Sequence, residues 1–104
     1  MSELFKKDTV IRVDECLKKF KSDLKIIALE TTARTAKDAA NSLKCELGAI
    51  VKSLVFKAEN EFLICLIAGD KRCSLNKLKK TLNKKDVSMA NANEVKEITG
   101  FSIG

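Results

Sequence analysis

From residue 9 to residue 20 the apolar side chains Val10, Val13, Leu17 and Phe20 fall three and four positions apart, which gathers them on one face of a helix. Residues 25–29, Lys-Ile-Ile-Ala-Leu, are a short β-prone run and predict a strand. Thr35 with Asp38 three positions on predicts a capped helix start, and Ala36, Ala39, Ala40 and Leu43 continue a helical stripe. The alanines in that stripe are small, which predicts close packing against a sheet.

Two apolar runs, 50–57 and 61–68, follow, with the polar triplet Ala58-Glu59-Asn60 between them. That pattern predicts an antiparallel hairpin. The run from Phe62 to Gly69 is the longest apolar stretch of the chain and reads as one buried strand. Gly69-Asp70 ends it, and Ser74 caps a helix whose inner face is Leu75, Leu78 and Leu82, leaving its lysines outward. A short strand is expected over 86–89. Asn91, with Glu94 three residues later, opens a last helix carrying Val95 and Ile98, Gly100 ends it, and Phe101 to Ile103 reads as the start of another strand. Hairpins interleaved with helices predict an α+β fold, one domain over 1–104 with a mixed or largely antiparallel sheet flanked by helices.

One residue interrupts this pattern. Alternation along Ile50-Val51-Lys52-Ser53-Leu54-Val55-Phe56 puts Ile50, Lys52, Leu54 and Phe56 on one face and Val51, Ser53 and Val55 on the other. Both faces are otherwise apolar, so the strand is expected at the centre of the sheet. Lys52 is then an ammonium among buried neighbours, and it needs an acid, a ring of carbonyls or an open pocket. The bland alternative is a lysine that runs its stem past the sheet edge and keeps its charge in water. On a rigid strand facing a cavity, the same cation can bind phosphate or stabilise a carbonyl oxygen that gains charge during ester hydrolysis.

Composition narrows the chemistry. The 104 residues suffice for one compact domain, with 45% hydrophobic and 33% charged residues. There is no histidine, which removes the commonest general base and metal ligand and, with them, any serine or cysteine triad. The four glycines are scattered and form no nucleotide-binding loop. Cys16, Cys45, Cys65 and Cys73 lack paired spacing, so core packing is expected for them ahead of metal binding, with Cys73 beside a charged turn as the one to watch. No metal or organic cofactor is implied. No apolar run approaches the ~20 residues of a membrane span, and residues 1–8 lack the apolar core of a secretory signal. A cytoplasmic protein is expected.

The net charge is +6, and residues 71–85 supply the whole excess through Lys71, Arg72, Lys77, Lys79, Lys80, Lys84 and Lys85, with no acid among them. A concentrated basic stripe on a near-neutral body suits a polyanion such as RNA; a solvated helix face that aids solubility is the alternative.

The stretches Thr-Ala-Arg-Thr-Ala-Lys-Asp-Ala-Ala (32–40), Ile-Val-Lys-Ser-Leu-Val-Phe (50–56), Gly-Asp-Lys-Arg (69–72) and Thr-Gly-Phe-Ser-Ile-Gly (99–104) resemble, in order and spacing, those of the YbaK/EbsC-like proteins. These are relatives of the editing domain inserted in bacterial prolyl-tRNA synthetases, and the resemblance covers about 30–104. It implies deacylation in trans of tRNA mischarged with a small amino acid of the alanine, cysteine, serine or threonine type. The partner implied is the 3′ acceptor end of tRNA, together with an aminoacyl-tRNA synthetase; no membrane partner is implied, and the oligomeric state is open.

The family's essential lysine matches Lys52, its small hydroxyl position Ser53, and the glycine that lets backbone approach the substrate Gly100. Asp70 matches the acid of a Gly-Asp turn. Thr32 and Arg34 lie in a matching loop, and Gly104 falls in the last motif; these join the expected substrate-binding set. Lys71, Arg72, Lys79, Lys80, Lys84 and Lys85 are expected to meet the tRNA backbone. The family's pattern continues beyond Gly104 with a further strand and helix, so the editing domain is expected here without them. A non-catalytic RNA-binding module and an amino-acid-sensing regulator on the same fold are the rival expectations.

Overall fold

The structure, a computed structural model, describes residues 6–29 and 33–103. The chain divides into two compact units, Met1–Thr31 and Thr32–Gly104.

The first unit contains helix α1, Asp8–Phe20, at the predicted place. Asp8 sits in its first turn and Lys18 and Lys19 in its last, each at the end whose partial charge it complements. Lys18 Nζ pairs with Asp14 Oδ2 at 3.0 Å, one turn apart. The apolar stripe is poorly covered: Val13 is 40% and Phe20 85% exposed. The strand expected over 25–29 does not form, and Ile27 is 75% exposed. A strand needs a neighbouring edge for its amides and carbonyls, and no ladder among the described residues reaches this segment.

The second unit carries α2 (Ala36–Leu43), a 3-10 turn (Leu47–Ala49), β1 (Val51–Ala58), β2 (Glu61–Ala68), α3 (Leu75–Leu82), β3 (Val87–Met89) and α4 (Ala92–Thr99). The strands order as β2-β1-β3, so β1 is central, as its two apolar faces require. Both pairings are antiparallel, in keeping with the expected largely antiparallel sheet. The hairpin turn is two residues, not three: Ala58 is still paired with Glu61, and Glu59 takes a left-handed φ of 56°.

Helix ends follow their sequence signals because capping is local. Thr35 Oγ1 accepts from the Asp38 N–H at 3.0 Å, and Ser74 Oγ accepts from the Lys77 N–H at 3.3 Å. At α4 the box is reciprocal: Asn91 Oδ1 accepts from the Glu94 N–H (2.8 Å) and Glu94 Oε1 from the Asn91 N–H (3.0 Å). Gly100 then ends α4 at φ 80°, in the left-handed region where a side chain is strained.

The core lies on the face of β1 that carries Leu54, Phe56 and Ala58. Phe56 (2% exposed), Ala58 (2%) and Val87 (6%) form it, with Leu63, Cys65, Cys73, Leu78 and Leu82 packed around them. Register explains the set: Phe56 pairs with Leu63, Leu54 with Cys65 and Ala58 with Val87, so all point one way. Leu75, expected beside Leu78 and Leu82, is 38% exposed.

On the opposite face, Val51 (63%), Ile64 (58%) and Leu66 (71%) remain exposed. The expectation of a buried strand over 62–69 is therefore corrected: β2 is an edge strand with one covered face. Two further corrections belong here. Residues 101–103 form no strand, and Cys16 and Cys45 are exposed rather than packed in a core.

Candidate functional site

Lys52 is half-buried on β1, in the same row as Leu54 and Phe56. Its Nζ donates to the main-chain carbonyl of Lys71 at 2.7 Å. Among the described residues it pairs with no carboxylate. An ammonium has three donors and this contact uses one, so the charge is held in place but not neutralised. Of the three ways a lysine here can be accommodated, the structure uses a carbonyl and an open cleft together.

The Lys71 carbonyl is placed by the turn after β2. The Gly69 N–H donates to Ile50 O at 2.7 Å, and the Lys71 N–H donates to Ala68 O at 3.0 Å. The turn is thereby tied to the residue that immediately precedes β1.

Lys52 and Ser53 line one cleft of about 950 Å³ with Ala36 and Ala39 of α2, Arg34, and Thr99 and Phe101 at the end of α4. Among the described residues of the lining there is no aspartate or glutamate, so Lys52 and Arg34 make it an anion-seeking pocket in a largely apolar wall.

Helix α4 is fixed at both of its ends, at Glu94 in its first turn and at Thr99 in its last. Glu94 Oε2 pairs with Lys57 Nζ of β1 at 3.3 Å, and that ammonium also lies 5.8 Å from the Phe62 ring centroid. The Asn91 N–H holds the Glu94 carboxyl below its ordinary range, with Lys57 adding to the effect. Beyond the helix, the Thr99 hydroxyl donates to Val95 O at 2.7 Å and accepts from the Phe101 N–H at 3.0 Å.

The Gly100 N–H donates to Lys96 O (2.9 Å), and Lys96 Nζ donates to Gly100 O (3.1 Å). The amides of Gly100 and Phe101 are thus engaged within the chain.

The other expected site residues fall in different places. Asp70 does not line the cleft; its carboxylate lies against Gly48, where an added Cβ would come within 3.0 Å of Oδ2. Thr32 and Gly104 lie outside the described residues. Lys71 and Arg72 are exposed in the turn, and Lys80 and Lys85 are exposed on and after α3. Lys79 and Lys84 are half-buried. Lys79 shares a polar depression with Glu59 and Asp86, and Glu59 Oε2 accepts from the Lys85 N–H at 3.3 Å. The fold thus brings acids to a stripe that has none in sequence.

Cys65 and Cys73 meet at the core edge, where burial pushes the Cys65 thiol up, with Cys73 adding to the shift. Sequence reasoning missed the Lys71 carbonyl and the Thr99 hydroxyl; the Gly-Asp turn was the sole hint of the first.

Known proteins resemble this chain in sequence and fold. Residues 30–104 match the aminoacyl-tRNA editing domain. The proline–tRNA ligase of Thermosipho africanus is 39% identical over 71 residues, which are 68% of this chain and 13% of the ligase. The ligase of Caldicellulosiruptor saccharolyticus is 32% identical over 71 residues, 68% of this chain and 12% of the ligase.

A crystal structure of a candidate trans-editing enzyme for prolyl tRNA synthetase superposes with a TM-score of 0.85 at 36% identity, covering 94% of this chain and 62% of that one. Hypothetical protein APE2540 superposes at 0.75 with 31% identity, covering 86% and 60%. This chain therefore spans under two thirds of each of these relatives. By the match across residues 30–104, it belongs to the aminoacyl-tRNA editing domain family.

Proposed function

We propose that this protein is a trans-acting deacylase that hydrolyses the ester joining a small amino acid to the 3′-terminal ribose of a tRNA. The observation that carries the reading is Lys52: a half-buried cation on a central strand, held by one neutral carbonyl, on the wall of a cleft with no acid among its described lining residues. Such a charge is preorganised for the oxygen that becomes negative when a carbonyl is attacked. Family membership supplies the substrate class, since editing domains act on aminoacyl-tRNA.

In this mechanism Lys52 Nζ holds the ester carbonyl oxygen or the adjacent terminal phosphate. Water attacks the carbonyl carbon, the tetrahedral oxyanion forms against Lys52, and the C–O bond to ribose breaks. The ribose oxygen takes up a proton and the amino acid leaves as its carboxylate. The chain has no histidine to serve as base, so the proton of the attacking water passes to a substrate group or to solvent. Where a side-chain hydroxyl or thiol of the amino acid attacks in place of water, its proton goes to the departing ribose oxygen, and water then opens the cyclic lactone or thiolactone to the carboxylate. The apolar cleft wall from Ala36 and Ala39 suits a short side chain of the alanine, cysteine, serine or threonine type. Ser53 and Arg34 contact the substrate, and the exposed lysines after the Gly-Asp turn meet the tRNA backbone in the cytoplasm.

The test is a deacylation panel: tRNA charged with alanine, cysteine, serine, threonine or proline, incubated with the protein and followed by loss of the labelled ester. Turnover of one or more small amino acids over the spontaneous rate is expected. Binding of every tRNA with turnover of none would replace the deacylase by a non-catalytic RNA-binding protein.

A further inference from the structure

Lys52 must point its charge, and the group that aims it is a carbonyl whose own position depends on a neighbour two residues earlier. We propose that Gly69 is a positioning residue for the deacylation: it permits the close backbone approach that fixes the Lys71 carbonyl, and so the Lys52 ammonium. The proposal rests on the deacylase reading above.

The need for glycine here is steric. A Cβ on Gly69 would stand 2.4 Å from Leu47 O, 3.2 Å from Ile50 Cβ and 3.3 Å from Ala36 Cβ. The first of these is backbone and cannot rotate away. Gly69 also lines the cleft itself. Its N–H reaches Ile50 O at 2.7 Å, the Lys71 N–H closes the turn on Ala68 O at 3.0 Å, and the Lys71 carbonyl then meets Lys52 Nζ at 2.7 Å. Lys52 pairs with Ile67 in the hairpin register. The root of the lysine and the acceptor at its tip are therefore referenced to the same short stretch of paired backbone. An added methyl at residue 69 must push the turn away from Leu47, and the carbonyl moves with it.

The test compares Gly69→Ala, Lys52→Ala and the double variant, reading kcat and KM on the best tRNA of the panel. A displacement of about 1 Å at such a contact can cost up to about 100-fold. We expect kcat of Gly69→Ala to fall about 10- to 100-fold, with KM changed far less. In the Lys52→Ala background the same change should lower the residual rate no further. Trace labelling with acetic anhydride gives a readout independent of activity: labelling of Lys52 relative to exposed Lys77 should rise about twofold or more once the carbonyl contact is lost.

A folded Gly69→Ala with near-wild-type kcat, or one that slows the Lys52→Ala protein by the same factor, overturns the proposal. Should Gly69→Ala fail to fold, Lys71→Gly against Lys71→Ala decides. Both lack the charge and differ only in backbone freedom at the carbonyl, so kcat should be about two- to fivefold lower for glycine, and equal values overturn the proposal. If no tRNA is turned over, the deacylase reading falls, and the labelling ratio alone then decides whether Gly69 aims Lys52.

Discussion

A lysine inside an apolar strand can be satisfied by a carboxylate, by carbonyls or by solvent, and the choice decides what it can do. Pairing with a carboxylate would cancel the charge in the ground state and leave little for a reacting oxygen. Lys52 is instead held by Lys71 O at 2.7 Å, which orients the ammonium without neutralising it. Lys52→Ala is expected to lower deacylation about 10²- to 10³-fold while the thermal midpoint stays close to wild type, because no ion pair among the described residues is broken; an ester-cleavage assay beside a melting curve checks both. The lysine was legible in sequence because period-two alternation fixes which neighbours surround it. Its partner was not, since a main-chain carbonyl has no sequence signature and lies 19 residues away. The same holds for the Gly100 region: the glycine is readable as a helix stop, but that Lys96 O and Thr99 Oγ1 take up the amides of Gly100 and Phe101 is a matter of three-dimensional closure.

Helix ends and the hairpin were readable for a common reason: the groups involved lie within a few residues of each other. Thr35, Ser74 and the Asn91–Glu94 box all cap where the sequence places them. The strands expected at 25–29 and 101–103 did not form because an apolar alternation states a preference while a ladder needs a partner elsewhere in the chain.

Glu94 gives α4 a pH signature. Its carboxyl is held below the ordinary value of 4.5, chiefly by the Asn91 N–H. A depressed folded-state pKa stabilises the fold above the unfolded value, and this contribution is lost as pH falls through the lowered one. Glu94→Gln keeps a capping acceptor but cannot titrate. Its deficit in urea unfolding should therefore be largest near neutrality and shrink below about pH 4; a deficit that is constant from neutrality to pH 3 would contradict this. The basic stripe separates in a similar way. Lys80 and Lys85 are exposed, whereas Lys79 faces Glu59 and Asp86. Neutralising Lys80 and Lys85 should reduce the log–log salt slope of tRNA binding by somewhat under about one unit each, and neutralising Lys79 should reduce it less, as measured by filter binding across a salt series.

At the scale of the molecule, the two faces of one hairpin have different fates. Phe56, Ala58 and Val87 are 2%, 2% and 6% exposed, while Val51, Ile64 and Leu66 on the other face are 63%, 58% and 71% exposed. The sequence predicted two apolar faces correctly but not that one of them would remain open, because coverage depends on what else packs there, and alternation reports only which residues share a face. The cleft lies where the second unit's α2, β1 and the end of α4 converge, and it draws Lys52 from one face of β1 and Ser53 from the other. Stability should divide as burial does. Phe56→Ala removes the most buried large side chain and leaves a cavity ringed by Leu63, Leu78 and Leu82, a loss of about 3–5 kcal/mol. Leu66→Ser changes a side chain that gives up little water on folding, and should stay within about 0.5 kcal/mol. Urea unfolding of the two variants beside the wild type measures both quantities. If Leu66→Ser proved as damaging as Phe56→Ala, the face carrying Val51, Ile64 and Leu66 would be covered in solution, and the core could not be confined to the Phe56 side of the sheet.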